Sequence, residues 1–132
     1  ETEIIRVHPI GDEITLQSNI DTTKKFFIKY KGGFEIEEIH PKTFKVSNMP
    51  NPFSNFTKIK YQLPKEERVR IEIIDITGRL IKVLVDEKKS PGYYSVTWQG
   101  KDTQGRNVPP GIYFYLIKAG KNKAIKKMIK LR

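Results

Sequence analysis

Residues 92–120 have the sequence GYYSVTWQGKDTQGRNVPPGIYFYLIKAG, and this stretch decides the fold class. Tyr94, Val96 and Trp98 alternate with other residues, which indicates a strand with one buried face. Asp102–Gly105 has the Asp-x-x-Gly pattern of a turn, because its glycine accepts a positive φ without steric cost. A second alternating run follows Pro-Pro-Gly. The stretch therefore predicts two strands of an all-β domain, with Trp98 as the large central core residue.

The same alternation continues outward from this stretch. A second Asp-x-x-Gly turn occurs at Asp75–Gly78. Met49–Phe53 contains two prolines, which lack the amide donor of a central strand, and Phe44 and Val46 predict a short strand before it. The spacing is typical of an Ig-like (fibronectin III-like) antiparallel β-sandwich. Its six main strands are predicted at Ile59–Leu63, Val69–Ile73, Leu80–Val85, Tyr94–Trp98, Ile112–Ala119 and Ala124–Leu131.

Residues 1–40 predict an additional region of short strands that ends in a β-hairpin. A three-residue loop at Lys31–Gly33 pairs Tyr30 with Phe34 and Ile28 with Ile36, which brings apolar residues together. A two-residue turn would instead place apolar residues opposite acidic ones, so we predict the longer, bulged hairpin. The chain is therefore divided into an N-terminal strand and hairpin region at 1–40, either an arm or the remnant of a preceding domain, and a β-sandwich at 41–132.

Charge is distributed unevenly along the chain, whose net charge is +10. Residues 1–40 hold five basic and eight acidic side chains, whereas residues 41–132 hold twenty basic and seven acidic ones. The basic part favours anionic partners, although solvated lysines also protect a sheet edge from aggregation. The candidate interaction surface consists of the cationic side chains near the end of the chain: Lys118, Lys121, Lys123, Lys126, Lys127, Lys130 and Arg132.

Composition excludes several classes of chemistry. The chain has no cysteine, which removes thiol catalysis and cysteine metal sites. No apolar run approaches the roughly 20 residues that a transmembrane helix needs. The sequence starts at Glu1 without a signal peptide, which indicates a processed product or a cut fragment.

No arrangement of residues predicts catalysis. The two histidines, His8 and His40, each precede a proline, so both are expected in extended or turn segments. Two histidines fall short of a closed zinc shell. The turn at Asp102 offers one carboxylate between two cations, whereas calcium needs several convergent oxygens. We therefore predict no enzyme activity, no catalytic or metal-binding residues and no cofactor.

An aromatic run lies close to the lysine-rich end. Tyr113, Phe114 and Tyr115 could stack nucleic-acid bases if they were exposed on a basic sheet. Tyr113 and Tyr115 share one face of their strand and Phe114 takes the other, and one face of a sandwich strand belongs to the core. The pattern therefore argues against a nucleic-acid partner.

Several short motifs occur in a fixed order in the second region. They are Asn51-Pro52-Phe53, Ile59-x-Tyr61-x-Leu63-Pro64, Ile74-Asp75-x-x-Gly78-Arg79, Gly92–Trp98, Gly100-Lys101-Asp102-x-x-Gly105, Gly111–Tyr115 and Lys127-Met128-x-x-Leu131-Arg132. By this set, residues 41–132 resemble the Ig-like domain of the flagellar hook-capping protein FlgD and, equally, the C-terminal sorting domains of the type IX secretion system. One departure is Gln99, where relatives usually have an acidic residue, and it weakens the case for an ion site in this turn.

The resemblance implies a non-catalytic secreted module, namely a C-terminal sorting or cell-surface attachment domain of a larger exported protein. The alternative is a structural subunit of an extracellular assembly or filament, joined by strand exchange through the N-terminal arm. A carbohydrate-binding accessory domain is a third interpretation. The expected partners are proteins, either export machinery or copies of the chain, and an anionic surface polysaccharide is a further candidate. The expected location is extracellular or at the outer cell surface.

Overall fold

A computed structural model describes residues 6–10, 13–17, 25–30 and 34–132. Up to Ile39 it describes backbone strands, and from His40 onward it also describes the side chains. The chain divides into two compact units, Glu1–Ile39 and His40–Arg132.

The described residues of the first unit form two antiparallel strand pairs. One pair joins β1 (Arg6–Ile10) to β2 (Glu13–Gln17), and the other joins β3 (Lys25–Tyr30) to β4 (Phe34–Ile39). In the second pair Tyr30 lies opposite Phe34 and Ile28 opposite Ile36. The predicted register is therefore confirmed, while the loop residues 31–33 themselves lie outside the described residues.

The second unit consists of seven strands joined by turns. All six main strands predicted from the alternation are present, although their bounds differ by one to four residues at individual ends. The last one ends at Lys130 and not at Leu131, and the short strand predicted around Val46 precedes them all. Their bounds are β5 Lys45–Met49, β6 Thr57–Leu63, β7 Glu67–Asp75, β8 Leu80–Lys89, β9 Gly92–Trp98, β10 Gly111–Ala119 and β11 Asn122–Lys130.

These strands form two antiparallel sheets that face each other as a sandwich. The larger sheet has the order β11-β10-β7-β8, and the smaller has the order β5-β6-β9. No helix occurs in the part of the chain that the structure describes. The predicted fold class, an all-β Ig-like antiparallel sandwich, is confirmed. Strands β11 and β8 are the edges of the larger sheet, and β5 and β9 are the edges of the smaller one.

The core lies between the sheets and is built from the alternating residues. Every second residue of β10 from Tyr113 to Ala119 is at most 5% exposed, because successive side chains of a strand point to opposite faces. Trp98 is 1% exposed and holds the predicted central position. Its ring lies edge-on to Phe53 and Tyr113, with centroid distances of 5.5 and 5.4 Å. Edge-to-face pairs of this kind add to the stabilisation that comes from burying the rings.

Strand register places several loops at one end of the sandwich. Asp75 at the end of β7 lies opposite Tyr113 near the start of β10, and Gly111 lies opposite Lys130 at the end of β11. In the smaller sheet Thr57 lies opposite Trp98. The loops beyond these positions, residues 50–56, 76–79, 99–110 and 131–132, are called the Trp98 end below.

Candidate functional site

The lysines of the predicted interaction surface occupy the edge of the larger sheet. Lys118 of β10 pairs directly with Lys123 of β11, and Lys127 lies opposite Phe114. Paired residues share a face, so Lys118, Lys123 and Lys127 lie on the outer face, away from the core. Lys121 occupies the turn between the two strands. All four side chains are exposed, and none makes an ion pair with a residue that the structure describes.

The remaining members are arranged differently. Lys126 and Lys130 are each two residues from the buried Met128 in β11. Their side chains therefore lie on the same, inner face of this strand. Lys126 is exposed beyond the sandwich edge, but Lys130 is only 5% exposed. The Nζ atom of Lys130 donates hydrogen bonds to the carbonyl oxygens of Val108 at 3.0 Å and Arg132 at 2.5 Å. The structure thus separates Lys130 from the exposed lysines. Its spacing from Met128 indicates the inner face but not its burial, because Lys126 has the same spacing and is exposed.

Apolar side chains lie between the lysines on the outer face. Leu116 pairs with Ile125, and Ile112 pairs with Ile129. Ile125 is 58% exposed and Ile112 is 38% exposed. The outer face at this edge therefore combines positive charge with accessible apolar surface, a mixture typical of protein-binding surfaces.

The Asn-Pro-Phe motif covers part of the β11 edge. The Asn51 side chain donates to the Lys127 carbonyl at 3.1 Å and accepts from the Ile129 amide at 3.0 Å. The Phe53 backbone then donates to the Ile129 carbonyl at 2.9 Å and accepts from the Leu131 amide at 2.8 Å. These bonds satisfy the edge groups of the second half of β11, so further strand pairing is restricted to its first half.

Two turns at the Trp98 end repeat one hydrogen-bond pattern. Asp75 Oδ1 accepts from the amides of Thr77 and Arg79 at 2.9 and 3.0 Å, and Asp75 Oδ2 accepts from Arg79 Nε at 3.1 Å. Asp102 Oδ1 accepts from the amides of Gln104 and Arg106 at 2.9 Å, and its Oδ2 accepts from Arg106 Nε at 3.1 Å. Both oxygens of each aspartate are thus used within its own turn.

These bonds also set the protonation behaviour of the two carboxyls. The hydroxyl of Thr77, followed by the backbone amides and Arg79, holds the pKa of Asp75 below its usual value. The backbone amide of Arg106, followed by the amide of Gln104 and the Arg106 side chain, does the same for the pKa of Asp102. Hydrogen bonds to a carboxylate favour its charged form, so both aspartates act as ionised turn residues.

A cleft with a volume of about 790 Å³ opens at the Trp98 end. Four of its lining residues are cationic, none is acidic, and the others are neutral. Lys58 comes from β6, Lys101 from the loop after β9, and Lys130 and Arg132 from the last strand and the residues beyond it. Lys58 and Lys101 were not singled out from the sequence, because no local pattern links residues that meet only through the tertiary fold.

Gly100 makes room for one of these cations. Its φ is +69°, and a Cβ atom at this position would lie 2.6 Å from Lys130 Cε. The absence of a side chain at Gly100 therefore allows the Lys130 side chain to cross the base of the loop and reach the Val108 carbonyl.

The aromatic run is divided between the two faces of β10, as its alternation predicts. Tyr113 and Tyr115 are 5% and 0% exposed, while Phe114 is half-buried on the outer face. The Tyr115 hydroxyl is buried and has no hydrogen-bond partner in the part of the chain that the structure describes. Burial raises the pKa of Tyr115 to about 12. Two of the three rings are thus core residues.

The described residues offer neither a metal site nor a membrane-spanning helix. Within the described residues, no cluster of three or more histidine, cysteine, aspartate or glutamate side chains is arranged to hold a metal ion. His40 is exposed, and the side chain of His8 lies outside the described atoms. The described residues also include no helix that is long and apolar enough to span a bilayer.

Comparisons with known proteins identify the family. Residues 47–131, more than half of the chain, match the profile of the family described as "Secretion system C-terminal sorting domain". Among solved structures, dimeric latent PorU from Porphyromonas gingivalis is similar with a TM-score of 0.54 and 20% identity, over 74% of this chain and 11% of that one. PorZ of the same organism, a surface component of the type-IX secretion system, has a TM-score of 0.46 and 20% identity, over 66% and 11%.

The chain thus spans about a tenth of the length of each of these two proteins. The likeness to PorU supports the sandwich fold. No curated protein sequence matches the chain. By the profile match, the chain belongs to the family of secretion system C-terminal sorting domains.

Proposed function

We propose that this chain is the non-catalytic sorting and attachment module of a larger exported protein of the type IX secretion system. The observation that carries the proposal is the family match over residues 47–131, which includes the whole of β11 and nearly the whole sandwich. A protein with such a module is secreted or attached to the cell surface. We further propose that residues 1–40 are an arm or the remnant of a preceding domain.

The exposed edge at β11 is the surface that we assign to recognition by the export machinery. Lys123, Lys126 and Lys127 place three cations there that make no ion pair with a described residue, beside the accessible side chain of Ile125. Part of the edge is already covered by Asn51 and Phe53. An acidic partner with apolar contacts of its own would complement this surface in charge and hydrophobicity.

The experiment fuses the full chain to an exported reporter in a bacterium that has a type IX secretion system, and measures reporter display at the cell surface. We expect display to depend on the chain and to fall severalfold when Lys123, Lys126 and Lys127 are replaced by glutamate. The matched control replaces Lys42, Lys45 and Lys60, three exposed lysines elsewhere on the sandwich, and is expected to retain display. Display without the chain would refute the sorting function, whereas equal display of both triple variants would refute only the β11 assignment.

The alternative function, assembly by strand exchange, rests on the contrast between an acidic N-terminal region and a basic sandwich. It stays a prediction from sequence, as do the likeness to FlgD and the anionic polysaccharide partner. Light scattering of the pure chain tests the assembly alternative, since strand exchange gives a mass that grows with concentration. A constant monomeric mass would contradict it.

A further inference from the structure

We propose that the cleft at the Trp98 end binds an oxyanion, a phosphate or carboxylate group, carried on a hydroxyl-rich small molecule of the sugar phosphate or sugar acid class. The cleft lies outside the exposed β11 face that we assign to recognition. Its volume of about 790 Å³ is much larger than a free ion requires and lies within the range of small-molecule sites.

The charge of the cleft is the first argument. Residues 40–132 contain five arginines, and four of them, Arg68, Arg70, Arg79 and Arg106, contact carboxylates at 2.8–3.1 Å. Arg132 in the cleft has no such partner among the described residues, and neither do Lys58 and Lys101. The sandwich thus neutralises its other arginines with acidic side chains and leaves the cations of this cleft available to a ligand.

Burial of Lys130 is the second argument. Its ammonium donates to the backbone oxygens of Val108 and Arg132, which uses two of its three hydrogens and leaves the third for a ligand. A buried ammonium has lost much of its hydration, so a hydrogen bond to its remaining donor would stabilise it. No aspartate or glutamate side chain among the described residues forms an ion pair with it. An anion in the cleft would supply the opposite charge close to the buried ammonium.

The uncharged residues that line the cleft indicate the chemistry of the rest of the ligand. The cleft presents side-chain amides of Asn55, Gln99 and Asn107 and the hydroxyl of Thr97, all of them exposed. Amides and hydroxyls both donate and accept hydrogen bonds, which suits a ligand with several hydroxyl groups. The ring of Phe56, which is 45% exposed, provides an apolar surface on which the C–H face of a sugar ring can pack.

The test titrates the ¹⁵N-labelled full chain with glucose 6-phosphate, inorganic phosphate and glucose at low ionic strength. We expect saturable shifts at the amides of Gln99 and Asn107, with tighter binding of glucose 6-phosphate than of phosphate and no saturation with glucose. The double variant Lys58→Gln/Lys101→Gln is expected to bind at least about tenfold more weakly, because each lysine offers a charge-assisted bond. Lys60→Gln is the matched control, on the same strand and face as Lys58 but outside the cleft.

Each other outcome counts against the proposal. An equal loss of affinity in Lys58→Gln and Lys60→Gln would mean that only the overall positive charge attracts the ligand. Equal affinity for phosphate and glucose 6-phosphate would mean that the sugar contributes nothing to binding, which would contradict a ligand of the sugar phosphate or sugar acid class. Saturable binding of a glutamate-rich peptide without binding of glucose 6-phosphate would assign the cleft to a protein partner instead.

Discussion

Replacing Asn51 by alanine tests whether the Asn-Pro-Phe motif fastens the last strand. The Asn51 side chain bridges two groups more than 70 residues away, the Lys127 carbonyl and the Ile129 amide, at 3.1 and 3.0 Å. Each bond contributes about 0.5–1.5 kcal/mol net. Asn51 is exposed, so water can partly replace it, and we expect the variant to lose about 1–2 kcal/mol in the free energy of unfolding.

The measurement is urea unfolding of the full chain, followed by the fluorescence of its single tryptophan, which is buried at position 98. With a slope of about 2 kcal/mol per molar urea, the loss moves the midpoint by about 0.5–1 M. Hydrogen exchange supplies a second measurement, because the Ile129 amide loses its acceptor in the alanine variant and should exchange faster.

Two further variants sharpen the test. Asn51→Asp keeps an acceptor for the Ile129 amide but loses the donor to the Lys127 carbonyl, so an intermediate loss is expected. Asn55→Ala removes a nearby exposed asparagine that makes no hydrogen bond with a described residue, and it should change stability by less than about 0.5 kcal/mol. Equal stability of Asn51→Ala and Asn55→Ala, with unchanged exchange at Ile129, would refute the reasoning.

Two other predictions concern the core and the turns. Tyr115→Phe removes a buried hydroxyl that has no hydrogen-bond partner among the described residues. We therefore expect the free energy of unfolding to stay unchanged or to rise by up to about 1 kcal/mol. A clear loss of stability in urea unfolding would contradict this. Asp75 and Asp102 have pKa values lowered from 3.8 in the folded state, so their contribution to stability is present above pH 3.8 and is lost as the pH falls through the lower folded values. Stability measured between pH 2.5 and 5 should therefore decline less steeply in Asp75→Asn/Asp102→Asn, and an unchanged decline would exclude this role.

The local sequence pattern was sufficient to predict the strands and the turns. The side-chain period of a strand is two, so alternation in residues such as Val96 and Trp98 shows both the strand and its buried face. The turns at Asp75 and Asp102 were predictable because their hydrogen bonds span only four residues. In the hairpin of residues 25–39, register followed from the pairing of apolar residues, since a one-residue slip would move each side chain to the other face.

The burial of Lys130 and the grouping of cations at the Trp98 end depend on the tertiary structure. Lys130 looked like one of several solvated lysines, and its burial depends on Gly100 and Val108, which come from a different loop. The cleft likewise draws Lys58 and Lys101 together from segments that are far apart in sequence.

The amino-acid sequence by itself determined the all-β class, the approximate strand positions and the central place of Trp98. The order of its motifs pointed equally to two families, of which the profile match supports the sorting domains. Only the tertiary structure decided how Asn51 closes the edge of β11 and which cations become buried or meet in a cleft. The physical reason is the range of the interactions. Strand and turn signals come from neighbouring residues, whereas contacts between distant segments leave no periodic signal and exist only after the two sheets have packed.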